Sequence, residues 1–379
     1  DVATARHAVE AGLLDMVGMT RAHMADPHVV KKIVEGREDD IRPCVGATYC
    51  LDRIYEAGDA LCIHNAATGR ELTMPHTIQP AEKKRKVVIV GAGPAGLEAA
   101  RVAAERGHNV VVFEAQPDPG GQIRLTAQSP RRREMISIID WRMAQCAARD
   151  VEFNFNRWAE ADDVIDQKPD VVIIATGGMP NTELFETGKD STHVVTSWDI
   201  IAGDVKPADS ILIYDESGDH AALQAAEVAA NAGAKVEIMT PDRTFAAGVM
   251  AMNLVPYMRS LQDKDTTFTV ARRLLGVELR GNKLEARIGT DYSDHSDIQK
   301  YDQVVVNYGT LPLDELYFDL KNLSSNGGAV DHDALVNGHP QNIVKNTDSQ
   351  FQLFRIGDAV SARNTHAAIY DALRLLKDI

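Results

Sequence analysis

Apolar and polar positions change their period several times along the chain, and each change predicts an element. Ala3, Ala8, Val9, Leu13 and Leu14 recur at near-helical spacing at the start. Positions 15–18 then read as a short buried strand, 20–25 as a short helix broken by Asp26-Pro27, and 29–35 as a helix stopped by Gly36. Positions 41–80 lose this periodicity and are rich in Gly, Asn and Cys, ending in the basic run 83–86. A stretch so long without regular structure needs something to tie it down. From Val87 the pattern becomes strand, helix, strand: 87–90 is a continuous apolar run, 96–106 carries Ala99, Ala100, Ala103 and Ala104, and 109–114 is the next strand. Further strands are predicted at 151–154 and 170–175. A second such unit starts at 210, with a helix over 221–232 and a strand at 235–239. Positions 268–270, 276–280 and 285–289 read as an antiparallel set and 303–307 as a parallel strand; 354–356 leads into a helix at 365–376.

This order predicts an α/β chain with two dinucleotide-type folds, the second inserted in the first. Composition narrows the chemistry. Apolar residues make up 44% and charged residues 25% of 379, as in ordinary globular proteins. The net charge of −15 repels phosphate backbones and argues against nucleic acid as a partner. The basic run 131–133 opposes this trend and reads as a solvated surface at a helix start. No run of about 18 apolar residues predicts a membrane span, and the polar, helical start does not read as a signal peptide. Three of the four cysteines, Cys44, Cys50 and Cys62, fall close together, whereas Cys146 sits alone in a helical pattern as a core residue. That usage points to a reducing cytoplasm and a local metal site, not a disulfide framework.

The most specific motif is Gly91-Ala-Gly93-Pro94-Ala95-Gly96, which follows a strand and opens a helix. Gly91 permits the tight turn, Gly93 leaves room for a pyrophosphate and Gly96 lets helix and strand approach. The helix start offers free N–H groups to phosphate. Glu114, at the end of the next strand, is placed to accept both ribose hydroxyls and to repel a 2′-phosphate. The expected ligand is FAD, NAD or ADP in preference to NADP. The Gly120-Gly121-Gln122 turn follows shortly.

The segments GAGPAGLEAA, NVVVFE, PGGQIRL, DVVIIATGG and RIGDA resemble the flavin-disulfide-reductase superfamily. The order VGMTR, cysteine cluster, GAGPAG resembles the C-terminal part of the trimethylamine dehydrogenase / 2,4-dienoyl-CoA reductase family, with IRPCVGATYC…LCIHNAATGRE most like its N-methylproline demethylase-like members. Such proteins carry a (β/α)8 barrel with FMN, an iron–sulfur segment and then the nucleotide domains. The resemblance implies a barrel remnant at 1–40 with positions 15–18 as its last strand, an iron–sulfur-type linker at 41–82, an FAD/ADP domain at 83–205 and 306–379, and a degenerate NAD(P)-like domain at 206–305. Carried over by position, Gly91, Gly93, Ala95, Gly96, Glu114 and Ala115 hold ADP, with Pro94 inside the same loop. Gly121 and Gln122 lie near the pyrophosphate or flavin, Ala159 meets the adenine, and Thr176 and Gly177 border the nucleotide. Gly357 and Asp358 reach the ribityl chain and phosphate; a helix N-cap is the weaker alternative for Asp358. Arg21 holds the FMN phosphate. FMN and the small-molecule substrate are expected in barrel parts absent here, so that this chain alone is inactive.

The cysteines are spaced C-x5-C-x11-C, whereas the family pattern is C-x2-C-x2-C-x11-C, its second position falling on Ala47. Four thiolates normally hold a cubane. Three readings stay open: a four-iron cluster with one non-thiolate position, a three-iron cluster, or an empty site. Zinc on three thiolates plus His64 is a further alternative. In the second unit, Asp215, Glu216 and Asp219 stand where the first loop has Gly and Ala; like charge there opposes a pyrophosphate. Arg243 reads as a surface residue.

Three functions follow. The first is oxidative demethylation of N-methylated amines or amino acids, with FAD or ADP and an iron–sulfur cluster in this part. The second is an enoyl reductase fed by NAD(P)H through the second unit. The third is a structural ADP-binding module without a redox step. An electron-transfer protein as acceptor and a homo-oligomer fit the first reading.

Overall fold

The computed structural model describes residues 1–182, 194–264 and 266–379. Residues 183–193 and 265, which fall in the expected 83–205 and 206–305 segments, lie outside the described residues. The chain forms two units, one of Asp1–Arg124, Glu134–Gly178 and Pro312–Ile379, the other of Leu125–Arg133 and Met179–Leu311. The insertion is therefore real, but its ends differ from the expected 205/206 and 305/306. The second boundary cut through a strand: Gln303–Asn307 pairs in parallel with Ser210–Asp215 and Val194–Thr196 and belongs wholly to the second unit. Backbone pairing, invisible in a one-dimensional apolar run, decides that membership.

In the first unit five parallel strands run in the order Gln352–Arg355, Val171–Ile174, Lys86–Val90, Asn109–Phe113, Glu152–Asn154. A sheet covered on both faces needs apolar side chains at successive positions, and 87–90 supplies them. Val87 and Ile89 enter the cluster formed with Ala99, Ala100, Ala103, Ile369 and Leu373. Val88 and Val90 enter the opposite one, with Val172, Tyr317 and Leu320. The small alanines let the Pro94–Glu105 helix lie close to the sheet, and Cys146 is fully buried beside it, as expected. Thr20–Ala25 and Val29–Val34 are helices, as the pattern predicts. Positions 15–18 are not a strand. Their backbone joins no ladder, and Met16 is 82% exposed. Four apolar-leaning residues make a strand only when a neighbour satisfies their N–H and C=O groups.

In the second unit the parallel order is Val194–Thr196, Gln303–Asn307, Ser210–Asp215, Lys235–Met239, Thr267–Thr269. One face packs against the alanine-rich His220–Asn231 helix. The other packs against an antiparallel sheet of Arg273–Arg280, Lys283–Thr290 and Ser293–Tyr301. Thr267–Thr269, expected in the antiparallel set, instead extends the parallel sheet, where Thr269 Oγ donates to Glu237 at 2.7 Å. Ser293–Tyr301 was not predicted, because its polar sequence has only one wholly buried position, Tyr301. In the basic run at 131–133, Arg131 and Arg133 are exposed as expected, Arg131 pairing with Glu227, whereas Arg132 is half-buried and held against Tyr257.

Candidate nucleotide crevice and cysteine pocket

The Gly-rich loop is shaped by close backbone approaches. Gly91 has φ +105°, and a Cβ there would lie 2.3 Å from the Ala175 carbonyl oxygen. A Cβ at Gly96 would lie 1.8 Å from the Gly91 oxygen. Both positions exclude any side chain. Gly93 differs: its φ is ordinary and a Cβ would meet nothing within 4 Å, so open space lies before the helix that Pro94 begins. The first-turn amides of that helix have no intrahelical acceptor.

Glu114 faces the loop. Its carboxylate accepts the Ala92 N–H at 2.7 Å and the Gln116 N–H at 2.8 Å, which fixes the side chain at the crevice wall. Two N–H bonds leave lone pairs for further donors such as ribose hydroxyls. Gly91, Glu114, Ala115, Ala159 and Thr176 line one cavity of about 450 Å³. That volume lies within the range of small-ligand sites. Thr176 is held by a hydrogen bond to the Leu313 carbonyl, and Leu313 N–H bonds the Gly177 carbonyl at 3.0 Å. Sequence reasoning missed Trp158, which is 65% exposed on the same wall, and the opposite wall from Leu313, Leu316 and Asp319. A lone tryptophan just past a strand end was a usable signal. The 313–319 segment carried none, because only the fold brings it there.

The remaining predicted residues meet at the start of the same helix. A Cβ on Gly121 would lie 3.6 Å from the Gly93 Cα, and one on Gly357 would lie 3.0 Å from the Ala95 side chain. Gln122 Nε2 donates to Asp358 Oδ2 at 3.0 Å, and the Arg363 N–H donates to Asp358 Oδ1 at 3.1 Å. Burial raises the Asp358 carboxyl above its ordinary pKa. Asp358 is not the cap of the final helix. Asn364 is, accepting the Ala367 N–H at 2.9 Å.

Cys44, Cys50, Cys62, Ala47 and Arg21 line a second, small cavity of about 30 Å³. Cys50 rides on the Tyr49–Tyr55 helix, which the sequence did not reveal. The Cys62 carbonyl hydrogen bonds His366 Nδ1 at 2.9 Å, and burial pushes the Cys62 thiol pKa up. Among the described residues no three Cys, His, Asp or Glu side chains stand together to hold a metal ion, so the zinc set with His64 is not assembled. His64 instead places Nδ1 at 2.9 Å from the Pro43 carbonyl and packs edge-on against Trp141. Burial keeps its pKa well below the usual value, so it is neutral. Arg21 is exposed.

In the second unit the equivalent loop is filled by its own side chains. Asp215 Oδ1 accepts the N–H groups of Ser217 and Gly218, each at 3.1 Å, and the Asn307 amide at 2.9 Å. Asp219 caps the following helix by accepting the Ala221 N–H at 2.8 Å. Burial, then the neighbouring Asp219, pushes the Asp215 pKa up to about 6. The amides that would face a phosphate are thus taken by carboxylates. Arg243 is exposed, as expected.

A family model described as pyridine nucleotide-disulphide oxidoreductase matches residues 85–372. The chain is 69% identical over 379 residues to the "Probable N-methylproline demethylase" of Rhizobium meliloti (strain 1021), covering 100% of this chain and 56% of that protein. It is 44% identical over 385 residues to the N,N-dimethylglycine/sarcosine dehydrogenase of Chromohalobacter salexigens, covering 99% of this chain and 56% of that protein. Among solved structures, histamine dehydrogenase from Rhizobium sp. 4-9 superposes with a TM-score of 0.82 at 26% identity, covering 98% of this chain and 56% of that one. The chain spans about half the length of the curated relatives it matches. Among the described residues no helix is long and apolar enough to cross a membrane.

Proposed function

Because this chain belongs to the pyridine nucleotide-disulphide oxidoreductase family, and with its relatives to the trimethylamine dehydrogenase / 2,4-dienoyl-CoA reductase group, we propose that it is the nucleotide-binding, electron-transfer part of a flavin and iron–sulfur oxidoreductase that demethylates N-methylated amines or amino acids. The observation that carries this reading is the crevice itself. Open space at Gly93 lies before a helix start, and the Glu114 carboxylate is locked on the neighbouring wall. Gly91, Gly93, Pro94, Ala95 and Gly96 would hold the diphosphate of FAD, Glu114 and Ala115 the ribose, and Ala159 the adenine. Gly121, Gln122, Gly357 and Asp358 would border the flavin side, with Thr176 and Gly177 flanking the nucleotide. FAD supplies two-electron redox chemistry when bound; the residues of this chain position it and screen it from water.

Cys44, Cys50 and Cys62 would hold an iron–sulfur cluster. Thiols that share a cavity wall without converging on one point suit a multi-iron cluster better than one tetrahedral ion. Ala47 leaves the fourth position without a protein thiolate. Arg21, next to this cavity, would serve the FMN phosphate, with FMN and substrate on barrel elements of a longer protein. The self-filled Asp215 loop supports an electron flow that starts from the amine and not from NAD(P)H. An electron-transfer protein is the proposed acceptor, and the cytoplasm the proposed compartment.

The test uses the complete protein that contains this chain. Anaerobic addition of N-methylproline should bleach the flavin absorbance and release formaldehyde, and the denatured protein should release FAD. Bleaching by NADH or NADPH in place of the amine would overturn the reading. Release of ADP alone would leave only a structural role for the crevice.

A further inference from the structure

We propose that a cationic cavity, separate from the nucleotide crevice, binds a small dianion of the phosphomonoester type. The cavity measures about 320 Å³ and is walled by Lys31, Lys32, Arg37, Arg42, Arg101 and Arg149, with the indole of Trp141 behind them. Most of these cations already have partners. Lys32 reaches Asp26 at 2.6 Å, Arg37 reaches Asp40 at 2.9 Å, and Arg101 holds Glu98 and Glu105, each at 2.7 Å. Arg149 shares Glu105 at 3.5 Å. Among the described residues Lys31 pairs only with Glu35, 3.9 Å away, which Arg37 also holds.

Arg42 is the exception. Its guanidinium lies 4.2 Å over the Trp141 ring, and its Nε is buried with no hydrogen-bond partner among the described residues. Counting the buried Arg142, seven cations face the carboxylates of Asp26, Glu35, Asp40, Glu98 and Glu105, a surplus of two positive charges. A buried donor left without a partner is destabilising, more so when it is charged. An oxyanion in the cavity relieves both the orphaned donor and the excess charge.

Phosphate fits better than a carboxylate. It brings two charges on one compact centre, and a guanidinium can grip it with paired N–H donors. The Trp141 face is already covered by Arg42, so recognition is by charge and hydrogen bonds, not by stacking a planar ligand. The overall charge of −15 makes a nucleic acid a poor source of that phosphate.

The test titrates inorganic phosphate into the complete protein that contains this chain by calorimetry, with ADP at saturation to occupy the nucleotide crevice and chloride replacing phosphate at constant ionic strength. One saturable equivalent is expected. Lys31→Glu, at an exposed position that leaves the core intact, should weaken it at least about tenfold, or about 1.4 kcal/mol. Arg42→Gln should do the same. Arg243→Glu, with the same change of net charge on the second unit, should leave it unchanged. Malonate should bind more weakly than phosphate. The proposal is overturned if binding does not exceed that of chloride, if ADP abolishes it, if Lys31→Glu and Arg243→Glu behave alike, or if malonate matches phosphate.

Discussion

Gly93 and Gly96, three residues apart, have opposite physical duties, and substitution separates them. Gly96→Ala places a methyl group against the Gly91 carbonyl oxygen. It should cost about 1–3 kcal/mol or more in chemical denaturation, as overpacked contacts do. Gly93→Val meets no protein atom at Cβ and should melt near the parent temperature. It should still weaken ADP about 100-fold, or about 2.7 kcal/mol, by filling the phosphate space. Equal ADP affinity in Gly93→Val would mean that the nucleotide is not held there. Asp215 gives a prediction with a sign. Its folded pKa of about 6 lies above the ordinary carboxyl value of 3.8. Between those values the folded state binds more protons, so stability falls as pH rises. Asp215→Asn removes the titration. Its stability relative to the parent should therefore grow from about pH 4 to about pH 7, by on the order of 2 kcal/mol. A difference that stays flat across this window, measured by thermal melts, contradicts the assignment.

At the scale of elements, one buried carboxylate joins two helices and the cysteine segment. Glu98, on the Pro94–Glu105 helix, accepts from Arg101 at 2.7 Å and from Arg142 at 2.8 Å. Arg142, on the Ser137–Ala147 helix, also donates to the His64 carbonyl at 3.0 Å. Burial alone would raise the Glu98 pKa, but the two guanidinium groups outweigh it and hold the carboxyl well below its usual range. Removing one partner of such a group leaves uncompensated buried charge. Glu98→Ala should lower the unfolding free energy by about 3–5 kcal/mol, read from urea denaturation. A loss below about 1 kcal/mol would place the network on the level of a surface ion pair. This network was not legible beforehand. Glu98 and Arg101 look like an ordinary helical pair three residues apart, and Arg142 and His64 are distant in sequence.

For the molecule as a whole, the two units use the same strand–loop–helix plan with opposite outcomes. The first leaves open space at Gly93 before its helix, and the second covers its Ser217 and Gly218 amides with the Asp215 carboxylate. Hydrogen exchange followed by mass spectrometry should show the difference. Saturating ADP should slow exchange in peptides covering 91–97 and 114–116, since a ligand that binds only the folded state stabilises it by mass action. Peptides covering 217–223 should be unaffected. Protection in the second set would restore the NAD(P)H-fed reading. The contrast itself was visible in the sequence, because Gly-Ala-Gly and Asp-Glu-Ser are chemically opposed. The unit boundaries were not, because Gln303–Asn307 is an apolar run that could pair in either sheet.

Local chemistry was therefore written in the chain. Continuous apolar runs specified parallel strands, the spacing of Gly91, Gly93 and Gly96 specified a phosphate-type loop, and Glu114 stood at the strand end where its carboxylate reaches that loop. These features depend on neighbours within one strand–helix–strand unit. Tertiary structure alone decided which strand joined which sheet, whether positions 15–18 had a ladder to enter, and that Leu313, Trp158 and Glu114 share one cavity. It also decided that Arg42 lies over Trp141 with its Nε unpartnered among the described residues. The physical reason is the same each time. Partners remote along the chain compete for hydrogen bonds, charge and volume, and that competition is settled only when the backbone has closed around them.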